Sequence, residues 1–129
     1  MKQIFSKGDR KVYKKIVTED DIVLFPGGRL HAVYSTFALG RDFEWSSRLF
    51  VNDMLEDEEE GVGTVLHINH RGPAFPGEEV ELTATVDKLE KNELLCTIEA
   101  RVKDRVIADG MTGQKILKKE RLKALFTKP

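Results

Sequence analysis

Between Ser35 and Leu55 the chain carries one long helical signature. Leu39, Phe43, Phe50 and Met54 recur at spacings of four, seven and four, which places them on one apolar stripe. Ser35 or Thr36 supplies a hydroxyl to cap the N-terminus of that helix. The period then changes. Segments 62–71, 80–89, 93–103 and 105–117 read as strands. In one, Val80, Leu82, Ala84 and Val86 alternate with Glu81, Thr83, Thr85 and Asp87; in the next, Leu94, Cys96, Ile98, Ala100 and Val102 share a face. The links EKNE at 90–93 and KDR at 103–105 are short enough for hairpins, so successive strands run antiparallel.

Before the helix, KVYKKIV at 11–17 makes a first strand, TEDD turns the chain, and FPGG at 25–28 marks a loop. EDEEEG at 56–61 reads as a solvated connection, because like charges repel and favour exposure. KKERLKALF near the end offers Leu122, Leu125 and Phe126 for docking. The expected fold class is α+β, an antiparallel sheet wrapped around one long central helix in a single domain spanning 1–129. One helix for a whole sheet leaves surface for a second subunit, so a homodimer or a dimer of dimers is expected.

Composition narrows the function. The 129 residues hold 21 Lys plus Arg against 22 Asp plus Glu, dispersed along the chain, which argues against a nucleic-acid partner. No apolar run approaches the roughly 20 residues that cross a bilayer, and MKQIFSKGDRKVYKK lacks the apolar centre of a signal peptide, so no membrane partner and a cytoplasmic location are expected. Cys96, the one cysteine, cannot form an internal disulfide or a thiolate cluster and falls on the apolar face of its strand, where it packs.

The run GTVLHINHRG at 63–72 holds two histidines three residues apart. Alternation along a strand sends His67 and His70 to opposite faces, so they cannot chelate one ion from it. Strict alternation groups His70 with Thr64, Leu66 and Ile68, and His67 with Gly63, Val65 and Asn69. His31 precedes the helix in a loop-like region, where it serves the surface or lines an entrance.

Glu44 follows Phe43 of the apolar stripe and precedes Trp45. A carboxylate at the edge of that stripe is costly to bury without a partner, and partial burial would raise its pKa, which suits a general base or nucleophile. The blander reading is a surface glutamate paired with Arg41 or Arg48 at helical spacing. Thr36 taken alone is an N-cap, and His70 alone a hydrogen-bonded core or interface histidine. Eight helical residues span about 12 Å, too far for a direct Thr36–Glu44 hydrogen bond.

TFALGRDFEW at 36–45, followed by VGTVLHINH at 62–70, resembles the hot-dog-fold thioesterases of the fluoroacetyl-CoA thioesterase type. That pattern has a Thr eight residues before a Glu and a His 26 residues after it, on a strand that opens with Gly-Thr; the spacings here are the same. The resemblance covers residues 11 to 126. It implies a hot-dog fold, Thr36, Glu44 and His70 as the catalytic set, Gly63 near the acyl or thioester group, and a dimer with active sites near the subunit interface. It departs at Gly110-Met111-Thr112-Gly113-Gln114, where family members commonly have a Gly-Thr-His-Glu-Arg-like run, so that a neutral Gln114 stands where the family has an arginine and cannot supply the same charge-assisted contact.

The function so implied is acyl-CoA thioester hydrolysis without a metal or cofactor. Glu44 attacks the carbonyl or activates water, with His70 and Thr36 assisting near the helix N-terminus. The alternative is a non-catalytic module that binds acyl-CoA and regulates metabolism.

Overall fold

Helix α1 spans Thr36–Met54. Ser35 opens it, with extended backbone and an Oγ that accepts the Ala38 N–H at 3.0 Å. Ser35 therefore does the capping, and the Thr36 hydroxyl is free for another partner. The computed structural model describes residues 1–29 and 31–129, with Arg29 described by its backbone alone.

The stripe behaves as its spacing demands: Leu39, Phe43, Phe50 and Met54 are completely buried. Each contributes roughly 1.5–3 kcal/mol of burial, and truncating Phe50 to alanine would cost about 3–5 kcal/mol. They pack against a five-stranded antiparallel sheet built from β1 (Arg10–Ile16), β4 (Glu59–His70), β5 (Glu79–Glu90), β6 (Glu93–Val102) and β7 (Arg105–Lys118). Spatial order is β1-β5-β6-β7-β4. The alternating residues of β5 and β6 supply the sheet side of the core, from Val80 to Val86 and from Leu94 to Val102.

Both predicted hairpins are present, pairing Glu90 with Glu93 and Val102 with Arg105. Each turn puts a lysine, Lys91 or Lys103, in the left-handed region. β4 leaves the helix and joins the far side of β7, so one of its edges pairs and the other is open. Among the described residues no helix is long and apolar enough to cross a membrane.

Three local expectations change. The FPGG segment is a miniature hairpin, β2 (Leu24–Phe25) with β3 (Gly28–Arg29), in which Gly28 takes φ +102°. The acidic run at 56–61 is more than a solvated link: β4 begins inside it. Glu59 is buried against the Met1 ammonium at 2.7 Å, and Glu60 pairs with Arg48. Opposite charge compensates there for what self-repulsion would push outward. Finally, the C-terminal helix α2 (Lys119–Leu125) is a short one that docks only Leu122, leaving Leu125 and Phe126 exposed.

Candidate active site

Helix α1 and strand β4 run side by side in opposite directions. At one end the Thr36 Oγ1 lies 2.8 Å from His70 Nδ1. Midway, a Cβ on Gly40 would meet Leu66 Cδ2 at 3.3 Å, so glycine lets the helix settle on the strand. Further along, Glu44 projects onto Gly63, and a Cβ there would stand 2.7 Å from Glu44 Oε1.

Strict alternation assigned Gly63 to the wrong face. Gly63 pairs with Gln114 and Val65 with Gly113, so Thr64 is the extra residue of a β-bulge. Because the bulge resets the pleat, Gly63 joins Leu66, Ile68 and His70 beneath the helix. Thr64 turns away, and its hydroxyl donates to Glu93 at 3.3 Å. His67 remains on the other side, exposed, as its parity with His70 requires.

The two arginines that were to neutralise Glu44 are committed elsewhere. Arg41 donates to Asp21 at 2.6 Å and to Asp42 at 3.2 Å; Arg48 binds Glu60 and the Gly61 carbonyl. Among the described residues the Glu44 carboxylate has no hydrogen bond or ion pair. It is exposed rather than partly buried in the single chain, and it faces a cavity of about 230 Å³ shared with Arg41, Trp45, Arg48, Gly63 and Gln114.

Gln114 does not present its amide nitrogen to that cavity. It is buried, and its Nε2 donates to the Glu44 carbonyl at 3.2 Å and to Ser47 Oγ at 2.7 Å. Thr112 donates to the same Ser47 oxygen at 2.8 Å, while Ser47 donates to the Glu44 carbonyl at 3.1 Å. The trio fixes the backbone of Glu44 from below. Ser47 and Thr112 carried no signal in the sequence beyond two hydroxyls at core positions.

Thr36 and His70 line a second cavity of about 300 Å³, walled by Val23, Phe25, Val33 and Phe37, with His31 also on its surface. Within one chain, then, the threonine and histidine meet, and Glu44 stands apart in the neighbouring cavity. A larger groove beside Glu79, Glu81 and Arg101 touches none of the three.

Residues 17–120 match the sequence pattern of the fluoroacetyl-CoA-specific thioesterase family. The chain belongs to that family. It is a thioester hydrolase by family, with the hot-dog fold. A thioesterase superfamily member from Thermus thermophilus is 32% identical, with 96% of this chain and 92% of that one covered at a TM-score of 0.91. The fluoroacetyl-CoA thioesterase FlK is 21% identical over 98% and 100% of the two chains, TM-score 0.90. A hot-dog-like protein from Thermanaerovibrio acidaminovorans is 21% identical over 97% and 96%, TM-score 0.84. No protein of curated function matches significantly.

This thioesterase also holds a buried charge cluster that sequence patterns did not single out. The Tyr34 hydroxyl donates to Asp42, and Lys15 reaches Asp21 at 2.7 Å and Asp42 at 3.1 Å. Burial alone would raise the Asp21 pKa, but Lys15, the Thr18 N–H and Arg41 overrule it and hold the group near about 2. Burial first, then the Asp42 bond, drives the Tyr34 phenol well above its ordinary value. The cluster fixes the segment that carries Thr36, helped by the Tyr34 N–H to Ala74 at 2.8 Å and the Ser35 N–H to Asp21 at 3.0 Å. An aspartate between Leu39 and Phe43 was the available clue. Cys96 is buried and its thiol is pushed up to about 12 by that burial, as a packing residue should be.

Proposed function

We propose that this chain hydrolyses acyl-CoA thioesters to a free acid and CoA at a site assembled from two subunits. Glu44 is the base or nucleophile, and His70 with Thr36 assists from the partner subunit. The observation that carries the reading is Glu44 itself: a carboxylate without a partner among the described residues, held over a glycine at the open edge of the sheet.

The open edge of β4 supports a dimer. Its residues Gly63 to His67 are exposed, including Val65 and Leu66, and Phe37 and Trp45 of the adjoining helix are exposed too. An uncovered edge with apolar flanks is a template for another strand. A second β4, antiparallel about a two-fold axis at His67, sets Leu66 opposite Ile68 and Val65 opposite Asn69 of the partner subunit. The bulge absorbs Thr64. Gly63 then faces His70 of the partner subunit, both under the helices.

Opposed residues hold their Cβ positions about 4.5–5.5 Å apart. Glu44 Oε1 lies 2.7 Å from the Cβ position of Gly63. The imidazole of the partner subunit's His70 therefore comes within reach of the carboxylate, directly or through a water or carbonyl between them. The unpaired carboxylate gains its companions only in the dimer.

The chemistry follows from the donors. With the Thr36 hydroxyl donating to Nδ1, the His70 Nε2 carries its proton toward the thioester and hydrogen-bonds the departing sulfur. The N–H groups of Thr36 and Phe37, at the first turn of α1, have no acceptor among the described residues, and they suit the developing oxyanion. Glu44 takes a proton from water or attacks the carbonyl itself.

Complementation tests the assembly. Glu44→Ala and His70→Ala homodimers should each release almost no CoA from acyl-CoA. Mixed subunits, exchanged statistically, should recover about a quarter of wild-type turnover, because half the dimers hold one intact site of two. No recovery, with exchange verified, sinks the shared site. Saturable CoA-ester binding without turnover by the wild type would point to a binding module.

A further inference from the structure

The cavity at the start of α1 has a composition that selects among acyl groups. Its volume is about 300 Å³. At the roughly 30 Å³ that a water-sized group occupies, it has room for about ten non-hydrogen atoms, several times an acetyl group. Thr36 and His70 form one side, and Val23, Phe25, Val33 and Phe37 form the walls. No Lys, Arg, Asp or Glu is among the described residues that line it.

Two of those walls are aromatic rings, Phe25 at 50% and Phe37 at 78% exposure in the single chain, with Phe37 on the flank that the second subunit approaches. An apolar occupant would take the Phe25 face, and what the dimer leaves open of Phe37, out of water, and a flat one would also stack on the rings. The rear of the cavity is stiff, because Tyr34 is completely buried and its hydroxyl is already given to Asp42. A second carboxylate carried on the acyl chain would meet no lysine or arginine among the described lining residues, only the imidazoles of His31 and His70.

We infer that this cavity is an acyl pocket for uncharged, branched or aromatic acyl groups of about six to nine non-hydrogen atoms. It disfavours acetyl groups, which leave it unfilled, and dicarboxylic acyl groups, whose second carboxylate would have to displace water for an apolar wall without a lysine or arginine among the described lining residues. The inference rests on the thioesterase reading above and goes beyond it in naming the substrate class. The thioester carbonyl sits at Thr36 and His70, with the acyl tail directed between Phe25 and Phe37.

The test compares kcat/KM for acetyl-, succinyl-, isovaleryl-, phenylacetyl- and palmitoyl-CoA. Isovaleryl and phenylacetyl esters should exceed acetyl and succinyl esters by at least about tenfold, the scale set by a few methylenes in an apolar pocket. Val33→Phe should lower the phenylacetyl-to-acetyl ratio by about tenfold or more, whereas Val33→Ala should preserve or raise it. The second variant guards against a fold defect in the first. Equal or better turnover of acetyl- or succinyl-CoA overturns the inference, as does a ratio unmoved by Val33→Phe. If no ester is hydrolysed, the thioesterase reading fails separately, and calorimetry with phenylacetyl- and acetyl-CoA decides the pocket: equal affinity overturns it, and a phenylacetyl preference supports it.

Discussion

Gly63→Ala is the sharpest perturbation the site offers. The new methyl carbon would stand 2.7 Å from Glu44 Oε1, about 0.7 Å short of the 3.4 Å at which ordinary contact begins. The other close atoms belong to the same carboxylate, at 3.5 and 4.0 Å, so the side chain of Glu44 must yield and the backbone need not. Gly63 has no positive φ, so alanine brings no backbone strain. Stability should change by less than about 1 kcal/mol, as for substitutions that escape the severe mechanisms. Catalysis should not escape: a misplacement approaching 1 Å costs about 100-fold, or roughly 2.7 kcal/mol of transition-state stabilisation. The assay is CoA release followed with a thiol reagent, alongside urea unfolding, in a Cys96→Ser background that removes the protein's own thiol. Glu44→Asp retracts the carboxylate by one methylene, so adding it to Gly63→Ala should cost less than it costs alone. Activity within about threefold of wild type in a normally folded Gly63→Ala protein would falsify the claim that the carboxylate over Gly63 is the working group.

Other consequences are equally direct. The Asp21 pKa, held near about 2 against an ordinary 3.8, contributes stability that is complete above the unfolded value and is lost as pH falls through the folded one. That contribution is about 2 kcal/mol; urea midpoints of wild type and Asp21→Asn should converge between pH 5 and pH 2 on roughly this scale, and parallel curves refute it. His67→Cys with Cys96→Ser should form a disulfide-linked dimer under mild oxidation, since directly opposed residues of antiparallel strands lie about 4.5–5.5 Å apart at Cα; a monomer on non-reducing gels excludes a two-fold at His67. Thr36→Ser should keep the hydroxyl on His70 Nδ1 and most activity, whereas Thr36→Val should lose about tenfold or more in kcat; equal loss in both would make the threonine methyl, not its oxygen, the feature that matters. After a single turnover of wild-type enzyme in ¹⁸O-water, read by intact-protein mass, label on Glu44 would require an anhydride opened by water at the glutamyl carbonyl and would refute the general-base route; water acting directly, or attacking the acyl carbon of an anhydride, labels the acid product and leaves Glu44 unlabelled.

Much of the fold was legible because its two periods are strong. Leu39, Phe43, Phe50 and Met54 repeat over four turns, and the alternating apolar residues from Val80 to Val86 in β5 and from Leu94 to Val102 in β6 land on the buried face. The site was legible in part. Spacing could place Thr36 at the head of a helix and His70 on a strand, yet their 2.8 Å contact depends on how β4 crosses to β7. Pairwise helical spacing also made Arg41 and Arg48 partners of Glu44. Their actual partners are up to twenty residues distant, Asp21 and Glu60, and only tertiary structure brings those carboxylates within range. Likewise Gln114 read as a lost arginine until its amide was seen to hold the Glu44 carbonyl.

The bulge at Thr64 shows why one local irregularity joins the fold to the chemistry. Without it, Gly63 would share a face with His67, and the residue under Glu44 would be a threonine whose side chain has no space there. With it, a residue lacking a side chain lies under the carboxylate, and the chain beyond resumes the pleat that puts Leu66, Ile68 and His70 against the helix. Deleting Thr64 removes the extra residue and leaves Gly63 opposite Gln114 and Val65 opposite Gly113, so regular alternation then keeps Gly63, Leu66, Ile68 and His70 on the helix face. What is lost is the local bend of the bulge and the Thr64–Glu93 hydrogen bond. The deletion variant should therefore retain its helix and sheet, read by circular dichroism, and lose less turnover than Gly63→Ala, because both partners keep their faces and nothing new presses on the carboxylate. A larger loss than that of Gly63→Ala would mean that the bend itself sets the distance between the carboxylate and the imidazole.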